Sequence, residues 1–180
     1  MLIGLVSDTH DDLAAVERAV ALFDRIAVDA LIHCGDFVSP FSVAPFTEFV
    51  ADSPGIDFYA VRGNNDGEWA IQSAVDAAGT YLGEAGVVSF SQAGASTTEV
   101  AITHGTAEVV VDALVDCGDY DYVVHGHTHA HDVEARGDTV RVNPGGLPIP
   151  VDGADDEFRV ATLDTTSTGP SAVTHHVLSE

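Results

Sequence analysis

Short apolar runs alternate with amphipathic stretches in the first half of the chain. The runs 1–7, 30–34 and 57–61 each end at glycine or polar residues, as buried strands do. Residues 11–23 carry apolar positions at helical spacing, and residues 39–50 form a second helical stretch that proline interrupts. This alternation predicts a parallel sheet with helices on its faces, and ligands of such sheets bind beyond the carboxyl ends of the strands.

The second half of the chain is richer in strand-like segments. One helix, at residues 107–115, is predicted among them, and we expect the strands to form a second sheet packed against the first. The predicted fold is therefore an α/β sandwich of two mixed sheets flanked by helices, and residues 1–180 form a single domain. The predicted strands of this half are residues 87–90, 100–103, 122–125, 132–134, 139–142, 158–163 and 172–178.

Length and hydropathy narrow the class of protein. The chain has 180 residues, 46% of them hydrophobic, which is enough to build one substantial core. The longest early apolar run, residues 2–6, is far shorter than a membrane-spanning helix and follows no basic leader. We therefore expect a soluble cytoplasmic protein with no membrane partner.

The charge balance is extreme. The chain has 6 basic and 29 acidic residues, a formal net charge of −23, and all six basic residues are arginine. We interpret this as adaptation to molar salt, where a Debye length of roughly 3 Å screens repulsion between carboxylates. Duplex nucleic acid is excluded as a partner, because binding its phosphates requires clustered basic residues. Cys34 and Cys117 lack metal or redox spacing, and we expect two buried, unreactive thiols.

Five segments place metal-ligand residue types directly after predicted strands. Residues two apart in an extended segment point to the same side, so the paired residues in the first and last segments converge. Each segment alone is commonly a turn or a cap, but five of them in this order predict a binding site. The mixture of carboxylate, imidazole and amide suits manganese, iron, nickel or zinc better than calcium. The segments are Asp8-Thr9-His10, Gly35-Asp36, Gly63-Asn64-Asn65-Asp66, His104-Gly105 and Gly126-His127-Thr128-His129.

In this order, the segments resemble the signature of the calcineurin-like metallophosphoesterase superfamily, which is D-x-H, G-D, G-N-x-[DE], H and G-H-x-H. The chain is most similar to the small archaeal and bacterial YfcE-type phosphodiesterases. The resemblance extends over residues 1–147 and includes the late turn Asn143-Pro144-Gly145-Gly146.

The resemblance implies a centre of two divalent ions, Mn²⁺ first and Ni²⁺, Fe²⁺ or Zn²⁺ as alternatives. It implies that Asp36 bridges the ions and that they activate a hydroxide for in-line attack on phosphorus. Asp36, Asn64 and His104 are the expected catalytic residues. The first ion is expected on Asp8, His10, Asp36 and His129, and the second on Asp36, Asn64, His104 and His127.

One position departs from the common pattern. Many members of the superfamily have histidine directly after the asparagine of their third motif, whereas this chain has Asn65. We therefore expect a small phosphodiester as substrate, with Asn65 and Arg62 as candidate substrate contacts and Asp66 as a residue that orients a ligand. Phosphomonoester or phosphoprotein hydrolysis is the alternative activity. A non-catalytic scaffold similar to the retromer subunit of this fold is a third possibility, and a homodimer is plausible.

Overall fold

Two stacked β-sheets form the centre of the protein, and the computed structural model describes them within residues 1–91, 94, 96–150 and 152–178. In chain order, the strands are β1 (Leu2–Val6), β2 (Ala30–His33), β3 (Asp57–Ala60), β4 (Thr80–Tyr81), β5 (Ala85–Phe90), β6 (Thr98–Thr103), β7 (Tyr122–Val124), β8 (His131–Arg136), β9 (Thr139–Pro144), β10 (Arg159–Asp164) and β11 (Val173–Val177).

The two sheets are both mixed. The first has the order β11-β10-β1-β2-β3-β4, with β1 to β4 parallel and β10 and β11 antiparallel to their neighbours. The second has the order β5-β6-β7-β9-β8, with parallel pairs in its centre and an antiparallel pair at each edge. In both sheets, parallel strands therefore bring several strand ends to one edge.

Helices cover the outer faces of both sheets. Helix α1 begins after Asp12, whose carboxylate accepts a hydrogen bond of 2.9 Å from the Ala15 N–H, and it ends at Ala27 in a left-handed conformation. Two 3₁₀ turns, Pro40–Ser42 and Pro170–Ala172, complete the helical elements of the described residues. The α-helices are α1 (Leu13–Ile26), α2 (Ala44–Asp52), α3 (Glu68–Val75) and α4 (Glu108–Asp116).

Three apolar clusters join these layers. The cluster between the first sheet and helices α1 to α3 includes Phe23, Phe46 and Phe58. The cluster between the sheets includes Leu5 and Ile102, because alternate residues of a strand point to opposite faces. A third, smaller cluster lies under α4. The result is the predicted sandwich, with the order helices, first sheet, second sheet, helix.

Several details differ from the sequence expectation. Strands β10 and β11 lie in the first sheet, although we expected all late strands in the second, because β10 pairs with β1. Helix α3 and the two-residue strand β4 had no predicted counterpart. Cys34 is buried as expected, but Cys117 is exposed at the end of α4. Among the described residues, no helix is long and apolar enough to cross a bilayer.

His33, at the end of β2, is a fully buried packing residue. The Gly35 N–H donates to its Nδ1 at 3.1 Å, so its Nε2 carries the proton and donates to Thr9 Oγ1 at 3.2 Å. Burial lowers the pKa of His33 to about 3. The native protein therefore holds this imidazole neutral, whereas the unfolded chain protonates it below its ordinary pKa of about 6.5.

This difference predicts a loss of stability on acidification. Below pH 6.5 the unfolded state binds a proton that the native state does not, so the free energy of unfolding falls by about 2 kcal/mol between pH 6.5 and pH 5 because of His33 alone. In His33→Gln, a side-chain amide replaces the imidazole; it can still donate and accept hydrogen bonds, but it does not titrate. Urea unfolding measures the free energy of unfolding at both pH values. Its decrease from pH 6.5 to pH 5 should be smaller in the variant than in the wild type by that amount. Equal losses in the two proteins would contradict the prediction.

Candidate metal centre

The candidate site lies where the strand ends of the two sheets meet. Loops after β1, β2 and β3 of the first sheet and after β6 and β7 of the second carry its residues. These five loops contain the five sequence segments that we singled out, so the structure brings all of them to one edge of the sandwich.

The backbone of these loops is unusual. Among the described residues, eight non-glycine residues have positive φ, and seven of them lie in the loops after β1, β2 and β7. Such conformations are costly for residues with a β-carbon and persist where the surroundings enforce them, often at functional sites. The seven are Asp8 (54°), His10 (42°), Asp11 (61°), Asp36 (62°), Val38 (81°), His127 (70°) and His129 (59°).

Asp8 is fully buried and uses its two carboxylate oxygens differently. Its Oδ2 accepts hydrogen bonds from Ser7 Oγ at 2.5 Å and from the His127 N–H at 2.9 Å. Its Oδ1 is buried without a hydrogen-bond partner and lies 3.5 Å from His129 Nε2 and 3.9 Å from His10 Nε2. Buried acceptors usually have a partner, and a cation between this oxygen and the two imidazoles would supply one.

Asp36 lies between two imidazoles. Its Oδ2 is 3.6 Å from His10 Nε2 and 3.5 Å from His104 Nε2. Asn65 binds both carboxylate oxygens, with its backbone N–H on Oδ1 at 2.8 Å and its side-chain amide on Oδ2 at 2.7 Å. This carboxylate is therefore held in one orientation, facing both halves of the site.

Backbone carbonyls fix the tautomers of two histidines. His104 Nδ1 donates to the Cys34 carbonyl at 2.8 Å, and His129 Nδ1 donates to the Leu147 carbonyl at 2.6 Å. Because a carbonyl only accepts, the proton of each neutral ring is on Nδ1, and the Nε2 lone pair points into the site. Metal-binding imidazoles are commonly oriented in this way.

The atom opposite His104 Nε2 is also an acceptor. Asn64 Oδ1 lies 3.0 Å from it, and Asn64 Oδ1 in turn accepts from Thr106 Oγ1 at 3.4 Å. Together with Asp36 Oδ2, three acceptor atoms converge in this half of the site. A divalent cation, or a second proton on the imidazole, satisfies all three.

Charges in the site favour cations. Burial raises the pKa of Asp8, but His10 and His104 outweigh burial and leave its pKa below the ordinary value. Burial likewise raises the pKa of Asp36, but the interactions with His104 and the hydrogen bonds from Asn65 hold this pKa well below its ordinary value. Conversely, Asp8 raises the pKa of His10 against the effect of burial. The two carboxylates therefore remain charged and attract positive charge.

Two groups of side chains have the spacing of metal ligands. The ligand atoms of Asp8, His10 and His129 lie within 4.8 Å of one another, and so do those of Asp8, Asp36 and His104. The donor set of these groups fits borderline divalent ions. His127 belongs to neither group, but its ring lies edge-on to His104 with centroids 5.2 Å apart.

The remaining predicted residues have more specific surroundings than the sequence indicated. Arg62 forms an ion pair with Glu84 at 2.9 Å, and Asn65 holds Asp36. Asp66 does not orient an imidazole: its buried carboxylate accepts backbone N–H bonds from Gly63 (2.7 Å), Asp36 (3.1 Å) and Val38 (2.8 Å).

Sequence reasoning missed the contribution of two glycines. A β-carbon at Gly126 would collide with Ser7 Oγ, and one at Gly146 would lie 2.7 Å from the β-carbon of Asp8. Asn143 holds the loop after β7 by donating to the Gly126 carbonyl at 3.1 Å. The turn 143–146, noted only for its resemblance, is the available sequence signal for these contacts.

Comparisons with known proteins agree with this geometry. A sequence profile of the calcineurin-like phosphoesterase superfamily domain matches residues 1–168. Phosphodiesterase MJ0936 of Methanocaldococcus jannaschii is 34% identical over 146 residues, which cover 81% of this chain and 83% of that protein. Phosphodiesterase YfcE of Escherichia coli K12 is 28% identical, covering 93% and 90%.

Solved structures support the same relationship. The structure of an archaeal phosphodiesterase superposes with a TM-score of 0.82 at 30% identity, over 99% of this chain and all of the other. Two findings lead to one assignment: the profile matches nearly the whole chain, and the fold superposes on that of an archaeal phosphodiesterase. This chain belongs to the calcineurin-like phosphoesterase superfamily.

Proposed function

We propose that this protein is a phosphodiesterase that uses two divalent ions. The first ion binds to Asp8, His10, Asp36 and His129, and the second to Asp36, Asn64, His104 and His127. The observation that carries this proposal is the buried, unpartnered Asp8 Oδ1 beside the Nε2 atoms of two imidazoles. The three acceptors of the second half support it.

The chain's own residues prepare the chemistry. When bound, two such ions supply an activated water and neutralise charge on the phosphate oxygens. Asn65 and Asp66 keep Asp36 and its loop in place before substrate arrives. The backbone carbonyls of Cys34 and Leu147 keep the lone pairs of His104 and His129 on the substrate side. Little reorganisation is then required during the reaction.

Several observations favour a diester over a monoester. The relatives above are named phosphodiesterases. The side chain at position 65 is an amide engaged with Asp36, so the site has no imidazole there to donate a proton. A dianionic monoester requires stronger charge stabilisation than a monoanionic diester. Monoester or phosphoprotein hydrolysis is the second candidate activity. The ligand set, complete by residue type at all seven positions, argues against a non-catalytic scaffold.

We further propose Mn²⁺ as the native metal, a small phosphodiester as substrate and the cytoplasm as the location, with a homodimer as the assembly. Borderline ions suit the mixed donor set. Both cysteines are free thiols, in keeping with a reducing compartment. The absence of lysine and the net charge of −23 support exclusion of duplex nucleic acid and adaptation to molar salt.

The two-metal proposal predicts complete dependence on bound metal. Exhaustive chelation should abolish hydrolysis of bis(4-nitrophenyl) phosphate, and Mn²⁺ should restore it with about two ions per chain. Elemental analysis combined with activity measurement in concentrated salt tests this. An active preparation that contains no transition metal would exclude the mechanism.

The bridging position of Asp36 predicts a larger loss there than at a residue serving one ion. Asp36→Asn should lower kcat by at least about 100-fold and reduce the content of both ions, because it weakens both halves of the site. His104→Ala should reduce the content of one ion. Asp11→Asn is the matched control. It removes the same charge in a neighbouring loop, but the Asp11 carboxylate binds Ser39 and is not an expected metal ligand. Bridging is wrong if Asp36→Asn retains two ions.

The role of position 65 predicts a shift in substrate preference. Asn65→His should raise kcat/KM for 4-nitrophenyl phosphate relative to bis(4-nitrophenyl) phosphate, because the imidazole adds a proton donor. Asn65→Ala is the control, since it also removes the hydrogen bond from the Asn65 side-chain amide to Asp36 but supplies no proton donor. Two results would count against the proposal: a wild type that prefers the monoester, or the same ratio in the two variants.

A further inference from the structure

A cleft of about 180 Å³ adjoins the candidate metal centre on the side of the second sheet. His104 belongs to both, because its ring lines the cleft while its Nε2 faces Asn64 and Asp36. Thr106 also links them, since it lines the cleft and its hydroxyl donates to Asn64 Oδ1. A group attached to a phosphate at His104 and Asn64 can therefore lie in this cleft.

The lining of the cleft is largely uncharged. Ala85, Ala107 and Val110 form apolar walls, and Thr103 contributes a hydroxyl that already donates to the Glu84 carbonyl at 3.2 Å. The two charged residues of the lining, Arg62 and Glu84, form an ion pair with each other. Because these two charges are paired with each other, such a lining favours an uncharged occupant over a second phosphate.

Two valines at the start of α4 are exposed. Val110 lines the cleft and is 45% exposed, and its neighbour Val109 is 75% exposed. Val111 and Val115 of the same helix are buried under it, so the helix packs without these two side chains. Val110 therefore presents apolar surface to the cleft that packing of the protein does not require.

The size and composition of the cleft indicate its occupant. An apolar cavity of about 150 Å³ admits one benzene ring. Arg62, which also lines the cleft, has a planar guanidinium, a group that stacks on aromatic rings. We infer that this cleft binds one ester substituent of the substrate and that the substituent is an uncharged group with a single ring. Val110 is then a specificity-determining residue that touches the substrate but does not take part in the chemistry.

This inference rests on the proposed function, because it places the reacting phosphate at the metal centre. It predicts that Val110→Trp, which fills the cleft, lowers kcat/KM for bis(4-nitrophenyl) phosphate by at least about tenfold. Val109→Trp is the matched control: it makes the same substitution one residue away, at a side chain that does not line the cleft. The control should stay within about twofold of wild type. Inhibition by inorganic phosphate, which has no ester substituent, should be unchanged in both variants.

A binding measurement separates this inference from the proposed activity. Calorimetric titration of the metal-loaded protein should give a lower Kd for phenylphosphonate than for methylphosphonate. Val110→Trp should reduce the ratio of these two Kd values by at least about tenfold. An inactive wild type would overturn the proposed function and leave this test in place. A Val110→Trp protein that hydrolyses the bis-aryl diester and binds phenylphosphonate as wild type does would overturn the inference. So would equal losses in the two tryptophan variants, or a changed affinity for inorganic phosphate.

Discussion

The hydrogen bond from the backbone of His127 to Asp8 joins the two sheets at the edge where the site lies. Asp8 follows β1 of the first sheet and His127 follows β7 of the second, so this bond holds the two strand ends together. It forms only because Gly126 and Gly146 allow the loops to approach, as a β-carbon at either position would collide with Ser7 or Asp8. The remaining ligand geometry depends on this approach, since it also directs Asp8 Oδ1 toward His10 and His129.

Once the loops are close, much of the site is held by the backbone and not by other side chains. Carbonyls of residues 34 and 147 orient two imidazoles, and three N–H groups converge on Asp66. The left-handed conformations of the ligand loops are part of the same arrangement. Each costs on the order of 1–3 kcal/mol. The surrounding sandwich, with its three apolar clusters, supplies the stability that offsets these costs.

The sequence predicted the two-sheet sandwich and the edge at which the polar segments meet, because these follow from hydropathy and strand order. It predicted the superfamily only through the resemblance of its five polar segments to the family signature. It did not assign β10 and β11 to the first sheet, since hydropathy shows that a segment is a strand but not which strand it pairs with. The contacts of Asp66 were also missed, because backbone N–H donors carry no sequence signature. The exposure of Cys117 was not predicted either, because the sequence does not show which side of the end of α4 faces solvent. The assignment of each ligand to one ion stays a prediction, although the structure brings the residues together.

The position of β1 also has a consequence for synthesis on the ribosome. This strand lies inside the sheet between β2 and β10. One edge of β1 therefore stays unpaired until β10, at Arg159–Asp164, has been synthesised. Its residues are almost entirely apolar, and an open apolar edge pairs readily with other chains. The nascent protein is thus expected to be most prone to aggregation while β1 waits for β10, and efficient production depends on protecting that edge during translation.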